Sequence, residues 1–336
     1  MFVINPGNAR TWSMLGSRGT FGVAIQDAAP SFADVLVLSA DLAGSSGLDR
    51  FRNSHPDKFI NVGIAEQNLI GIAAGLAKEG FNTFATSFAP FCSLRAHEQV
   101  RYHLGYMGQN VKVVALASGV STGVLGNTHF GLEDIAAMRA IPGLTVIAPA
   151  DSVEVVKAVQ SLLQYKGPAY LRLTGGMNNP MVYTKDYDFV IGKSIELREG
   201  GDVAVFACGT MVFESLKAAD QLKEQGLSVS VTDMHTIKPL DIDAVEKACQ
   251  TARLIVTVEE HSRIGGLGGS VAEYLAERGK APLHLIIALP DAFGPVGDYK
   301  FLLEHHGLTG SHIASKIVAA LSVPKPEAVL SGAAAD

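Results

Sequence analysis

Short β-branched runs alternate with longer stretches of helical periodicity along almost the whole chain, and that alternation most constrains its fold. The runs Val35–Leu38, Asn82–Thr86, Val111–Ala115, Thr145–Ile147 and Ala169–Leu173 read as strands. Between them, Leu15–Ala28, Ala65–Lys78, Leu94–Gly105, Leu132–Ala140 and Ser152–Gln164 read as helices. Strands separated by helices pair in parallel, with helices covering both faces of the sheet. The rhythm breaks near Gly175, where GGMNNPMVYTKDYDF is rich in Gly, Asn, Pro and charge, as a linker is. It restarts with strands Val203–Ala207, Val229–Thr232, Leu254–Val258 and Leu283–Ile287, and helices Met211–Glu224, Asp243–Cys249, Leu267–Ala276 and Ser311–Leu321. The expectation is an α/β protein of two doubly wound domains over 1–185 and 201–325, joined by a linker 186–200. The last residues, 326–336, lack periodicity and read as a frayed tail.

Composition narrows the function classes. Hydrophobic residues make up 48% and charged residues 18% of the 336 residues, a balance that supports a large core. Net charge is −6 with no Lys/Arg cluster, so nucleic acid and acidic membrane surfaces are poor partners. The apolar runs are strand-sized, far short of the ~18–20 residues of a membrane span. The opening MFVINPGNARTW lacks the basic and apolar pattern of a signal peptide. Cys92, Cys208 and Cys249 form neither a CxxC pair nor a zinc spacing, and read as small buried apolar residues. A reducing, cytoplasmic setting is expected.

Four strings in the first domain carry chemistry: SADLAGSS (39–46), NVGIAEQN (61–68), TSFAPF (86–91) and GNTHFGLEDIAAMRAIPGLTVIAPAD (126–151). Through them, Ile60–Ala150 resembles the pyrimidine-binding domain of transketolases. VEEHSRIGGLGGSVAE (258–273) resembles the C-terminal domain of the same family. Deoxyxylulose-phosphate synthases and the β subunits of 2-oxo-acid dehydrogenases share this layout. The run EDIAAMRAIPGLTVIAPAD is closer to transketolase and the synthase, and Phe88-x-x-Phe91 favours transketolase.

The resemblance implies thiamine diphosphate as coenzyme. That group brings its own hard chemistry, and the protein binds, orients and tunes it. Glu66 stands where the family places the glutamate that shares a proton with the coenzyme's pyrimidine nitrogen. A glutamate in a first helical turn can also simply complement the helix dipole. Phe88 and Phe91 match the aromatic residues that stack on the pyrimidine; two core phenylalanines are the plain alternative. Asp41 matches an aspartate near the thiazolium side, or forms an Asx turn. His129, in GNTHFG, matches a histidine that hydrogen-bonds donor or acceptor oxygens. Arg18 and Ser45 match positions that hold a sugar phosphate, or are a surface arginine and a turn serine. Asp134 reads as a helix residue packing near the site, and His261 as structural.

The substrate side departs from the family. Val124 and Leu125 stand where an acidic pair usually precedes the histidine segment. Ala117 replaces a phosphate-contacting histidine, Thr174 an arginine, and Phe130 the Gln that often follows the histidine. Each change removes charge or hydrogen bonding, which points to a substrate other than the ordinary pentose phosphates.

The chain contains no GDG…NN motif, the family's seat for Mg²⁺ and the diphosphate; Gly201-Asp202 is followed by Val203, and Asn178-Asn179 precedes it. GGLGG (265–269) does not satisfy G-x-G-x-x-G and reads as close helix–strand packing. The resemblance therefore implies a separate subunit carrying the diphosphate domain and the Mg²⁺, in an α2β2 tetramer. The activity it implies is two-carbon ketol transfer from a ketose to an aldehyde. Synthase-like condensation from pyruvate, a 2-oxo-acid dehydrogenase β-like role and a non-catalytic scaffold remain as alternatives.

Overall fold

The computed structural model describes residues 2–322; the tail expected over 326–336 lies outside the described residues. Seven strands form the first sheet: β1 (Val35–Ser39), β2 (Phe59–Asn61), β3 (Asn82–Phe88), β4 (Val111–Ser118), β5 (Thr145–Ile147), β6 (Ala169–Thr174) and β10 (Thr236–Lys238). Their order is β10-β5-β6-β4-β3-β1-β2, parallel except for β10. The second sheet runs β12-β11-β8-β9-β7. It is built from β7 (Ile195–Arg198), β8 (Val203–Ala207), β9 (Val229–Asp233), β11 (Leu254–Ser262) and β12 (Leu283–Leu289), with β7 antiparallel at its edge.

Successive residues of a strand point to opposite faces, so one strand feeds two cores. Val35 and Val37 pack with Phe84 and Val114 on one side of the first sheet, beneath α1 (Pro6–Ala28) and α6 (Ser152–Gln164). Leu36 and Leu38 pack with Ala85 and Val113 on the other, beneath α3 (Glu66–Lys78) and α5 (Asp134–Arg139). Val203, Val205 and Val256 of the second sheet meet α7 (Met211–Glu224) and α11 (Gly310–Ser322) on one face. Phe206 and Ile255 meet α8 (Ile242–Thr251) and α9 (Leu267–Arg278) on the other. Each fully buried Val, Leu or Ile contributes about 1.5–3 kcal/mol. This is the two-part doubly wound architecture expected from the alternation.

Local signals set the helix ends. Asn5 caps α1 by accepting from the Asn8 N–H at 2.9 Å, with Pro6 at the first helical position. Asp151 caps α6 through the Glu154 N–H at 2.9 Å, while Glu154 Oε2 accepts from the Ala150 N–H at 2.7 Å. The helix expected over 94–105 is irregular: π-wound turns over Phe91–Arg95 and Val100–Tyr106 flank a short α4 (His97–Gln99). Two helices carry no clear sequence signal, α2 (Asp49–Ser54) and α10 (Tyr299–His305).

Three strands come from segments without strand patterning, among them the three-residue β2. β7 lies within 186–200, expected as linker. β10, in the second half of the chain, closes the edge of the first sheet by pairing with β5, Thr236 opposite Ile147. The Ala148 N–H donates to His235 O at 2.7 Å and the Gly209 N–H to Ala148 O at 3.1 Å, so backbone hydrogen bonds tie the two sheets together. Among the described residues no helix is long and apolar enough to cross a membrane.

Candidate active site

The order β4-β3-β1-β2 places four neighbouring parallel strands so that the segments after their carboxyl ends converge. Ligand sites of open α/β sheets form at such edges. The segment after β1 carries Asp41, that after β2 leads to Glu66, β3 ends on Phe88, and the long segment after β4 carries His129.

Glu66 opens α3 and is only 3% exposed. Its Oε2 accepts from Arg95 NH1 at 2.9 Å and its Oε1 lies 3.4 Å from Ser87 Oγ. It is therefore a buried, partnered carboxylate, more than an ornament of the helix dipole. Phe88 and Phe91 are half-buried and meet edge to face, with centroids 6.0 Å apart. The imidazole of His129 completes the cluster, 5.6 Å from Phe88 and 5.2 Å from Phe91. Thr128 Oγ1 sits 2.9 Å from His129 Nδ1, which leaves Nε2 for another partner.

Asp41 has a left-handed backbone, φ 59°, and is exposed. Its carboxylate accepts from Asn61 Nδ2 at 2.9 Å, and Asn61 Oδ1 accepts from the Asp41 and Gly63 N–H groups at 3.1 Å each. Asn61 thus laces the Asp41 loop to the segment leading into Glu66, in place of an Asx turn. Arg18 is half-buried, and that burial lowers its pKa from the ordinary guanidinium value. Ser45 is exposed. The two share a neighbourhood: a Cβ on Gly47, two residues after Ser45, would stand 2.9 Å from Arg18 O.

The segment from Gly119 to Gly131 is closed by reciprocal backbone bonds of 3.0 and 2.9 Å between those two glycines. Both positions require glycine. A Cβ on Gly131 would meet Ala89 Cβ at 2.8 Å, in the segment between the two phenylalanines. Gly119 has φ +67°, and its Cβ would overlap the Glu260 carboxylate at 2.1 Å. Just before it, Ala117 takes φ 51° beside an irregularity in the β4–β6 register, which bends the chain toward the site.

The second domain holds this loop from behind. Glu260 Oε1 accepts from the Val120 N–H at 2.7 Å, while its Oε2 accepts from Thr210 at 2.8 Å and Tyr299 at 2.5 Å. Arg172, 1% exposed in β6, donates through Nε and NH2 to Asp134 at 2.8 and 3.1 Å and through NH2 to the Gly131 and Glu260 carbonyls at 3.0 Å each. Tyr170 adds a bond to Asp134 at 2.8 Å. Burial alone would lower the Arg172 pKa, but the Asp134 carboxylate more than offsets it and the guanidinium stays above its ordinary value. His261 is buried, and burial drops its pKa to about 4. It is a neutral ring between the Ser262 carbonyl at 2.7 Å and the Ala136 N–H at 3.3 Å.

Of the substituted positions, Phe130 and Thr174 are buried, Thr174 against the backbone of Gly209, whereas Val124 and Leu125 are exposed on the turn before His129. Cys92 and Cys208 are buried, and Cys249 is only partly so. The helix start in GGLGG is taken by the protein itself: the Leu267 and Gly268 N–H groups donate to Glu259 at 2.7 Å each. Burial pushes the Glu259 carboxyl up to about 7.

A buried carboxylate linked through Arg95 to a cluster of three aromatic rings, at the carboxyl ends of parallel strands, can receive a flat heterocycle with a hydrogen-bond donor on its edge. Comparison with known proteins identifies the family. Residues 14–179 match the family described as transketolase, pyrimidine binding domain, and residues 192–313 match transketolase, C-terminal domain. The putative transketolase C-terminal section of Methanocaldococcus jannaschii is 41% identical over 305 residues, which cover 90% of this chain and 95% of that protein. The 6-deoxy-6-sulfo-D-fructose transketolase subunit SqwH of a Clostridium species is 41% identical over 281 residues, covering 83% and 86%. A solved split-gene transketolase, described as an inactive β4 tetramer, superposes with TM-score 0.83 at 36% identity, covering 92% of this chain and 99% of that one. The chain belongs to the transketolase family.

Proposed function

We propose that this chain is the pyrimidine-side subunit of a heteromeric, thiamine-diphosphate-dependent transketolase that moves a two-carbon ketol unit between sugars other than the ordinary pentose phosphates. The observation that carries the reading is the buried Glu66 carboxylate, joined through Arg95 to Phe91 and through Ser87 to the residue before Phe88, next to the cluster those rings form with His129.

The donor set fits the coenzyme's pyrimidine half. A glutamate carboxylate accepts hydrogen bonds, and so suits a ring nitrogen that carries a proton. Phe88 and Phe91 offer aromatic faces and edges to the ring. When bound, thiamine diphosphate supplies a nucleophilic carbon for attack on a carbonyl. In this reading Glu66 holds the proton at the pyrimidine nitrogen. Its burial keeps water from competing for that hydrogen bond. His129, steadied at Nδ1 by Thr128, presents Nε2 to a substrate oxygen. Asp41 faces the thiazolium side, and Arg18 and Ser45 flank an acidic group on the sugar.

In this reading a separate subunit supplies the diphosphate and Mg²⁺ site; residues 1–336 carry no GDG…NN, and the helix start at 265–269 is filled by Glu259. The names of two relatives, a C-terminal section and a subunit, support that division. The name of one of them, a sulfofructose transketolase subunit, also supports an unusual substrate. Exposed Val124 and Leu125 at the turn before His129 favour a less polar acceptor than a polyhydroxylated sugar phosphate.

The test is reconstitution with a subunit carrying GDG…NN, followed by donor assays with ketoses, pyruvate and branched 2-oxo acids. The proposal expects coenzyme-dependent turnover of a ketose by the pair and none by either subunit alone. Turnover of pyruvate or a branched oxo acid instead of a ketose would overturn the ketol-transfer reading. Ordinary transketolase rates on xylulose 5-phosphate with ribose 5-phosphate would overturn the claim about the substrate.

A further inference from the structure

Arg95 was not singled out by the sequence, yet it meets both surfaces that define the pyrimidine end of the site. Its guanidinium carbon lies 4.2 Å from the centroid of the Phe91 ring, and its NH1 donates to Glu66 Oε2 at 2.9 Å. A guanidinium is a flat, delocalised group with N–H donors along its edge, and it stacks on aromatic rings as well as it pairs with carboxylates. A protonated aminopyrimidine is also flat and delocalised, with an N–H donor on its edge. Where the incoming ring takes the same face of Phe91 and the same lone pair of Glu66 Oε2, the two groups cannot be present together.

We propose that Arg95 is a resident stand-in for the aminopyrimidine ring, so that coenzyme binding is a displacement of Arg95 from Glu66 and Phe91. This rests on the reading of Glu66 given above and deepens it. Arg95 is free to leave, because half of its side chain faces solvent and it ends a single π-wound turn. Glu66, at 3% exposed, has no such freedom. A carboxylate held so far from water needs a donor at all times, since an unpaired buried charge is strongly unfavourable. Arg95 satisfies that need before the ring arrives.

The same logic makes Arg95 a specificity-determining residue. A heterocycle that brings an N–H to Glu66 replaces what Arg95 gave. One without that donor would leave Glu66 Oε2 without its charged partner, with only the long Ser87 bond to Oε1 remaining, and competes poorly.

The experiment uses the full-length chain by itself, because the pyrimidine contacts lie within it. The probe is 4-amino-5-hydroxymethyl-2-methylpyrimidine, the coenzyme's ring without thiazolium or diphosphate, titrated by nuclear magnetic resonance. R95A is expected to bind it about tenfold more tightly than wild type, the scale of a half-exposed ion pair and one cation–π contact together. R95K, which keeps a point charge but not the plane, is expected to fall between them. A circular dichroism spectrum matching wild type shows that R95A keeps the fold; its melting temperature should fall, because buried Glu66 loses its charged partner, and R95A/E66Q should recover part of that loss. The double variant R95A/E66Q should lose the gain. Equal or weaker binding by R95A, still dependent on Glu66, would overturn the displacement and leave the assignment of Glu66 standing. No binding by any variant, or binding indifferent to E66Q, would overturn that assignment and the displacement with it.

Discussion

Replacing Asp134 with asparagine tests how the second domain and the sheet together hold the His129 loop. Asp134 and Arg172 are 0% and 1% exposed, and the pair is joined by two charge-assisted bonds of 2.8 and 3.1 Å. Arg172 also donates to the carbonyl of Gly131, which closes the loop carrying His129, and to that of Glu260, which supports Val120. Asparagine keeps the shape but removes the charge. Arg172 cannot shed its proton in response, since a guanidinium stays charged even when buried. Breaking a buried pair by removing one partner costs about 3–5 kcal/mol. At about 2–4 °C per kcal/mol for a domain of this size, the melting temperature should fall by about 6–20 °C. Circular dichroism or calorimetry of the single chain reads this directly. D134N/R172M leaves no stranded charge and should recover part of the loss, which a double-mutant cycle measures. A D134N shift under about 2 °C, or a double variant no better than D134N, would refute the view that this pair locks the loop.

Further outcomes follow from the same geometry. Glu260→Ala removes acceptors from Val120, Thr210 and Tyr299 and should lower kcat of the reconstituted enzyme more than it raises KM. Tyr299→Phe, which removes one bond of three, should cost only about 1 kcal/mol in a melting assay. Phe91→Ala should weaken coenzyme binding about three- to tenfold, as loss of one aromatic contact implies, measured by titration of the reconstituted pair. Burial, followed by the charge of Asp233, pushes the Glu154 carboxyl up, and burial also raises Asp233. A carboxyl with a folded-state pKa above its unfolded one takes up a proton on folding. Its contribution is therefore complete below the unfolded value near 4 and is lost as pH rises toward neutrality. Asp233→Asn, which keeps an acceptor for Tyr183, should flatten the fall in melting temperature between pH 5 and 8; an unchanged pH profile would contradict the assignment.

The strands and helices that pack on their own apolar faces were legible from periodicity. Thr145–Ile147, Val203–Ala207, Ser152–Gln164 and Met211–Glu224 fall where the patterning puts them. What escaped depends on distant partners. β10 is three residues long and exists because β5 offers an unpaired edge from the other half of the chain. Arg95 reaches Glu66 from a π-wound turn, whose extra residue shifts the phase that a search for helical spacing assumes. Asn61 stood inside the NVGIAEQN string, and its link to Asp41 is visible only once β1 and β2 lie side by side. One signal was available and unused. Arg172 interrupts the otherwise apolar run AYLRLT, and a cation in a strand buried on both faces has to be paired. That rule would have pointed to a carboxylate such as Asp134.

The reconstituted enzyme carrying Glu66→Gln bears most directly on the account. Glutamine fills the same space and keeps one acceptor, but it cannot hold a shared proton at the pyrimidine nitrogen. Two-carbon transfer should drop by about 10²–10⁴-fold, the scale of a lost acid–base group, while assembly and melting temperature stay close to wild type. Turnover equal to that of the unaltered protein would contradict the role given to Glu66.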